Sequence, residues 1–144
     1  MKKHYLITGG EGFIGRNLKK FLTKNNSTVK TLDISGNPDY LISVTDFDNI
    51  MNIKEEFDGI FHLAATTSPP EFDENPFSGF NVNANGTLNV LEFARIRNIP
   101  RVALAVFSRT ICVKISKGNT FNILSDRIES CKIFIKDLCY RVQI

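Results

Sequence analysis

Long hydrophobic runs are absent from this sequence. No apolar stretch approaches the roughly 18 residues that a membrane-spanning helix needs. The start, MKKHYLITGG, is basic, but its apolar run is a few residues long and ends in glycine, which is too short for a signal peptide. The expectation is a cytoplasmic protein with no membrane partner. Cysteine is scarce as well. Cys112, Cys131 and Cys139 are separated by 19 and 8 positions, a spacing that suits neither a zinc site nor a redox pair. Free buried thiols and no metal are expected. Repeats and low-complexity segments are missing, which excludes a solenoid.

A large charge excess is lacking too. The net charge is +3 over 144 residues, unevenly spread. Residues 1–108 carry 11 Lys/Arg against 12 Asp/Glu, a net of −1, whereas residues 109–144 carry 7 against 3, a net of +4. Few aromatic residues, Phe134 and Tyr140 among them, interleave with the basic residues of that tail, so nucleic acid is not expected as a partner.

What is present suits a single globular domain, with 42% hydrophobic residues. HYLIT (4–8) reads as a buried strand. Phe13, Ile14, Leu18, Phe21 and Leu22 recur at helical spacing until NNST breaks the pattern. TVKTLD (28–33), YLISV (40–44), GIFHLAA (59–65) and RVALAVF (101–107) read as further strands. Thr45 is placed to cap a helix with Asp46 and Asp48 in its first turn. Adjacent prolines make TTSPPEFDENP a loop, and a long helix is expected over 76–98. Strands alternating with helices predict an α/β fold: a Rossmann-like, doubly wound parallel sheet with helices on both faces. After it, ICVKISKG (111–118) suggests a short strand. Ile128, Cys131, Ile135, Leu138 and Val142 give one apolar stripe on a helix over 125–142, preceded by Ser125 as a cap.

The stretch ITGGEGFIGRNL places four glycines within seven positions, directly after the first strand and running into the first helix. Strand, glycine-rich turn and helix in that order form an anion site, because backbone N–H groups and the helix dipole face the same point. Gly9 allows the tight turn, Gly12 lets backbone meet a pyrophosphate, and Gly15 lets the helix pack against the sheet. Gly10 is a further position without a side chain. Asp33 ends the second strand 24 residues beyond Gly9. A carboxylate there accepts both hydroxyls of an adenosine ribose and repels a 2′-phosphate, so the pair predicts NAD over NADP. His62 lies mid-strand among apolar neighbours and reads as a core histidine, and His4 as structural.

The spacing of Thr8, Gly9, Gly12 and Gly15 resembles the short-chain dehydrogenase/reductase superfamily. More closely, it resembles the NAD-dependent epimerase/dehydratase family that acts on nucleotide sugars. FHLAA (61–65), NVNANGTLNVLEFAR (81–95) and IPRVALA (99–105) resemble later family segments in the same order, and the likeness covers about residues 3–107. It implies that Gly9, Gly12, Phe13, Ile14 and Gly15 line the pyrophosphate, and that Asp33 and Ile34 hold the ribose. Ser43 and Val44 fall at the adenine edge, where an aspartate is common at the position of Ser43. Leu63, Ala64 and Ala65 border the cofactor, Thr67 reaches toward the nicotinamide, and Asn83 supports the active site. The long helix is partly a dimer face by the same likeness, which makes a homodimer through the 76–98 and 125–142 helices the expected assembly.

Past residue 107 the resemblance fails. The family uses a Ser/Thr and a Tyr-x-x-x-Lys pair, in which a lysine and the nicotinamide charge ease ionisation of the tyrosine. An ungapped count puts Phe107 at the serine position, with Ser108 one residue away. The later tyrosine is Tyr140, and Ile144 stands where the lysine is required. No counterpart of the family's C-terminal sugar-nucleotide domain is found. The expectation is a cofactor-binding domain over 1–107 and a divergent tail over 108–144, in a truncated or frame-disrupted family member with little or no turnover. A non-catalytic dinucleotide-binding sensor or interaction module is the alternative.

Overall fold

Apolar residues alternate between the two faces of the inner strands, and that alternation builds three layers. The computed structural model describes residues 2–66, 75–106, 109–116 and 120–123. In chain order the elements are β1 (His4–Thr8), α1 (Phe13–Lys24), β2 (Thr28–Asp33), β3 (Tyr40–Leu41), α2 (Phe47–Met51) and β4 (Gly59–His62). There follow α3 (Pro76–Phe80), a π-helical stretch (Asn81–Gly86), α4 (Thr87–Ile96), β5 (Arg101–Val106), β6 (Arg109–Ser116) and β7 (Thr120–Ile123). Among the described residues the strands form one sheet in the order β3-β2-β1-β4-β5-β6-β7. β1 to β5 run parallel, and β6 and β7 are added antiparallel.

On one face, Ile7 of β1 and Phe61 of β4 meet Leu18 and Leu22 of α1. On the other, Leu6, Leu32, Ile60, Val102 and Leu104 meet Ile50 of α2 and Val90, Phe93 and Ala94 of α4. Phe93 retains no exposed surface, and emptying such a site costs about 3–5 kcal/mol. Helices therefore cover both faces of the parallel part, as the sequence predicts. α1 stops at Asn25, and Asn26 takes a left-handed φ of 59°, a conformation asparagine tolerates.

Several boundaries differ from the sequence expectation. The third strand is Tyr40–Leu41, not 40–44, because it pairs only with the tip of β2 and the chain then turns through the Ser43–Thr45 hydroxyl contact. Asp46, not Thr45, caps α2, accepting from the Asn49 N–H at 3.2 Å. The fourth strand ends at His62 rather than 65. The expected 76–98 helix runs from Pro76 to Ile96 and widens to π geometry at Asn81–Gly86. Beyond 107, the short strand expected over 111–118 is Arg109–Ser116, lying antiparallel on β5 from Arg101↔Lys114 to Val106↔Arg109. The 125–142 helix, Cys131, Cys139 and Tyr140 lie outside the described residues. No helix among those described is long and apolar enough to cross a membrane.

Candidate functional site

The tips of β1 and β2, the start of α1 and the exit of β4 meet at one end of the sheet. Each glycine there answers to a different neighbour. Gly9 has a φ of +69°, and a Cβ on it would lie 2.7 Å from the Ala64 nitrogen, so the turn runs hard against the chain leaving β4. A Cβ on Gly10 would strike the Thr31 side chain at 2.5 Å. At Gly15 a Cβ would collide with the Gly9 carbonyl oxygen and come within 2.8 Å of the Gly10 Cα. The helix is thus seated on the loop itself at this residue, not on the sheet as the sequence suggested. Gly12 differs: its one near neighbour would be the Gly9 oxygen at 3.3 Å. Packing does not demand a glycine there.

The loop uses its early N–H groups internally and leaves the later ones unused. Gly9 and Gly10 donate to the Leu32 carbonyl at 2.8 and 3.3 Å, and Gly12 donates to the Gly9 carbonyl at 3.2 Å. The Glu11 N–H donates to Asp33 Oδ2 at 2.9 Å. Among the described residues, no hydrogen bond takes up the N–H of Phe13, Ile14 or Gly15. α1 also lacks a side-chain cap and an acidic residue in its first turn, whereas α2 and α3 are capped by Asp46 and Asn75. Three unused donors at the positive end of a twelve-residue helix fit a diphosphate. Phe13 is 70% exposed beside them, and Ile14 49%.

Asp33 is aimed by the backbone around it. Besides the Glu11 N–H, it accepts at Oδ1 from the N–H of Ile34 at 2.8 Å and of Ser35 at 3.4 Å. Each carboxylate oxygen keeps acceptor capacity for a hydroxyl. The following loop is anchored at its far end by Asp39, which accepts from the Thr31 N–H at 2.9 Å and from Lys30 Nζ at 3.1 Å. Partial burial works against the charged form, yet the bonds from Thr31 and Lys30 outweigh it and bring the Asp39 carboxyl down to about 2. Ile34 is exposed between the two aspartates.

Across the site, the Leu63 N–H donates to the Thr8 carbonyl at 3.0 Å, and Ala64 and Ala65 continue past the glycine turn. His62 is buried and bonded through both ring nitrogens, with Thr8 Oγ1 at 2.7 Å from Nδ1 and Thr87 Oγ1 at 3.0 Å from Nε2. Thr87 gives its own proton to the Asn83 carbonyl at 2.7 Å, so Nε2 must donate and Nδ1 must accept. Burial pushes the His62 imidazole down to about 4, and neutral imidazole satisfies every bond. The core reading of His62 holds. His4 is likewise structural, its ring 4.7 Å from that of Phe57.

The Asn83 side chain pairs with the Thr66 backbone and so holds the segment beyond β4. Ser43 bonds Thr45 at 2.7 Å, and Val44 turns its side chain into the core against Gly86. Thr67, Phe107 and Ser108 lie outside the described residues. Among those described, no group of three His, Cys, Asp or Glu residues is placed to hold a metal ion. Glu11, Thr31, Asp39 and Thr87 were not singled out by the sequence. The position of Glu11 between two loop glycines was the one available hint.

A parallel sheet whose first strand runs through a glycine turn into an uncapped helix, with a carboxylate at the tip of the second strand, defines a Rossmann-like dinucleotide-binding unit. Residues 5–113 match the NAD dependent epimerase/dehydratase family. The chain belongs to that family, and its cofactor is NAD. It is 35% identical over 104 residues to UDP-glucuronic acid decarboxylase 1 of Danio rerio, covering 65% of this chain and 25% of that one. It is 33% identical over 124 residues to D-erythronate dehydrogenase of Haemophilus influenzae, covering 75% and 38%. Among solved structures, a UDP-galactose 4-epimerase superposes with a TM-score of 0.65 at 31% identity, covering 73% of this chain and 38% of that one. The chain therefore spans well under half the length of these relatives.

Proposed function

We propose that this chain is the NAD-binding part of an enzyme that moves hydride transiently to and from a carbon of a nucleotide sugar. One observation carries the reading: three unused N–H groups at the uncapped start of α1 share a site with a carboxylate oriented by the loop's own amide. In this reading Gly9, Gly12, Phe13, Ile14 and Gly15 line the pyrophosphate, and Asp33 and Ile34 hold the adenosine ribose. Ser43 and Val44 border the adenine, and Leu63, Ala64, Ala65 and Thr67 border the remainder. When bound, NAD supplies the hydride acceptor and donor. The protein's share is binding and orientation: helix-terminal amides neutralise the diphosphate, Asp33 fixes the ribose, and Asn83 holds Thr66 beside the cofactor's far end.

Residues 1–107 carry this function in the proposal, and 108–144, of which β6 and β7 extend the same sheet, are the divergent tail. The sequence holds no Tyr-x-x-x-Lys pair, so this chain is expected to bind NAD without turning over a sugar. The same gap favours the second reading, a dinucleotide-binding module without catalysis. Exposure of Phe77, Phe80 and Leu88 along the 76–96 helix supports a homodimer through that face. Calorimetric titration with NAD and NADH, followed by an assay with UDP-sugars, tests the proposal. Binding without turnover is expected. Absence of binding overturns the cofactor assignment, and turnover of a UDP-sugar overturns the incompleteness.

A further inference from the structure

We infer that Thr31 and Asp39 form a clamp that fixes the loop after Asp33 against the glycine turn, so that dinucleotide affinity depends on a buried hydroxyl. The inference rests on the cofactor reading above and adds two positioning residues to it. Thr31 retains no exposed surface. Its two branches serve different halves of the site. On the carbon side, a Cβ built on Gly10 would lie 2.5 Å from Thr31 Cβ and from Cγ2, so the turn rests on this side chain. On the oxygen side, Thr31 Oγ1 donates to Asp39 Oδ2 at 3.1 Å and accepts from the Asp39 N–H at 3.3 Å. The Thr31 N–H donates to the same Oδ2 at 2.9 Å. The residue beneath the glycine turn thereby holds the far end of the loop that begins at Asp33.

The clamp stands where a strand pair would. β3 pairs with β2 at Leu32↔Tyr40 and Asp33↔Leu41, and one residue before that pairing begins the Asp39 carboxylate takes the Thr31 N–H instead. Lys30 Nζ lies 3.1 Å from this carboxylate and Lys19 Nζ 3.5 Å from it. Lys19 belongs to α1, so the helix whose first amides face the diphosphate is tied to the same point. The middle of the loop is packed as well. Gly36 has a φ of +79°, and a Cβ on it would lie 2.8 Å from Glu11 Cγ. A loop fixed at its start, middle and end presents Asp33 in one orientation before the ligand arrives. Released at Asp39, the same loop must be ordered on binding, and that ordering is subtracted from affinity.

The test is calorimetric titration of the full chain with NAD, well below the melting temperature of each variant, beside circular dichroism melts. Thr31→Val keeps the shape beneath Gly10 and deletes the hydroxyl, and it is expected to weaken NAD binding about tenfold. Thr31→Ser keeps the hydroxyl and loses the methyl. It should melt at a lower temperature yet bind NAD within about threefold of the wild type. Affinity then follows the hydroxyl rather than stability, a split that a merely structural residue does not produce. Asp39 is partly exposed, so Asp39→Ala gives a folded protein even where Thr31→Val does not, and it should match the Thr31→Val loss. The double variant should bind within about threefold of either single one, because both delete one clamp. If folded Thr31→Val and Asp39→Ala bind NAD as the wild type does, the clamp is overturned while the cofactor reading stands. Losses that multiply in the double variant, or that track stability in Thr31→Ser and Thr31→Val alike, overturn it too. If the wild type binds no NAD, the cofactor reading falls and the clamp with it.

Discussion

The carboxamide of Asn83 grips Thr66 as a neighbouring strand would, its Oδ1 accepting the Thr66 N–H at 2.8 Å and its Nδ2 donating to the Thr66 carbonyl at 2.9 Å. The residue sits in the π-helical stretch, where its own carbonyl accepts from the Thr87 hydroxyl. A widened turn of helix thus frees one side chain to organise the chain that leaves β4. Asn83→Ala deletes both bonds and is expected to cost about 1–2 kcal/mol in urea unfolding. Asn83→Asp keeps the acceptor but sets an anion against the Thr66 carbonyl. It should be at least as damaging at neutral pH and should recover part of the loss in mild acid, where a protonated oxygen can donate. Equal stability of all three proteins at pH 7 would remove Asn83 from this role.

The loop glycines separate into those the fold requires and one that it does not. Gly10→Ala drives a methyl into the branched Thr31 side chain, and Gly15→Ala drives one into the Gly9 carbonyl. Each should lower stability by about 1–3 kcal/mol. Gly12→Ala meets a single atom at 3.3 Å and should fold with a loss below about 1 kcal/mol, yet weaken NAD binding at least about tenfold. Circular dichroism melts paired with NAD titration separate the two effects. A Gly12→Ala protein that binds NAD normally contradicts the placement of the diphosphate.

His62 makes stability depend on pH in a stated window. Its folded pKa of about 4 lies below the ordinary 6.5, so between those values the unfolded chain holds the proton and the folded chain does not. The His62 contribution is complete above 6.5 and is lost as pH falls toward 4, by up to about 3 kcal/mol. Urea unfolding of the wild type and His62→Gln at several pH values across that window should show a steeper slope for the wild type, by the equivalent of one proton. Parallel slopes would mean that the imidazole titrates normally.

Much of this was legible because its signals are local. The apolar runs of β1 and β2, the periodicity of Phe13 to Leu22, and the glycine loop with Asp33 each declare themselves within a few residues. Of two misreadings, one has a nonlocal cause. The third strand was read through Val44, but the pairing available at the tip of β2 stops at Leu41, and Val44 is apolar because it packs on Gly86 more than forty residues away. Thr45 reads as the cap in the sequence, but its hydroxyl is taken up by Ser43, two residues away, and Asp46 caps instead. Glu11 shows in sequence only as a residue between two loop glycines, and its packing on Gly36 across the loop is visible only in the fold. The strand over 111–118 was legible, but its antiparallel place on the free side of β5 was not, because that pairing depends on residues that share no motif with the rest.

The central claim is that the first amides of α1 hold a diphosphate while Asp33 holds the adjoining sugar. It is tested most directly by nuclear magnetic resonance, titrating NAD into nitrogen-15-labelled chain and following the backbone amides one by one. The account predicts the largest shifts at Phe13, Ile14 and Gly15, with a second group at Asp33 to Gly36 that disappears in Asp33→Ala. Saturating NAD that leaves those amides in place, or moves a different surface instead, would contradict it.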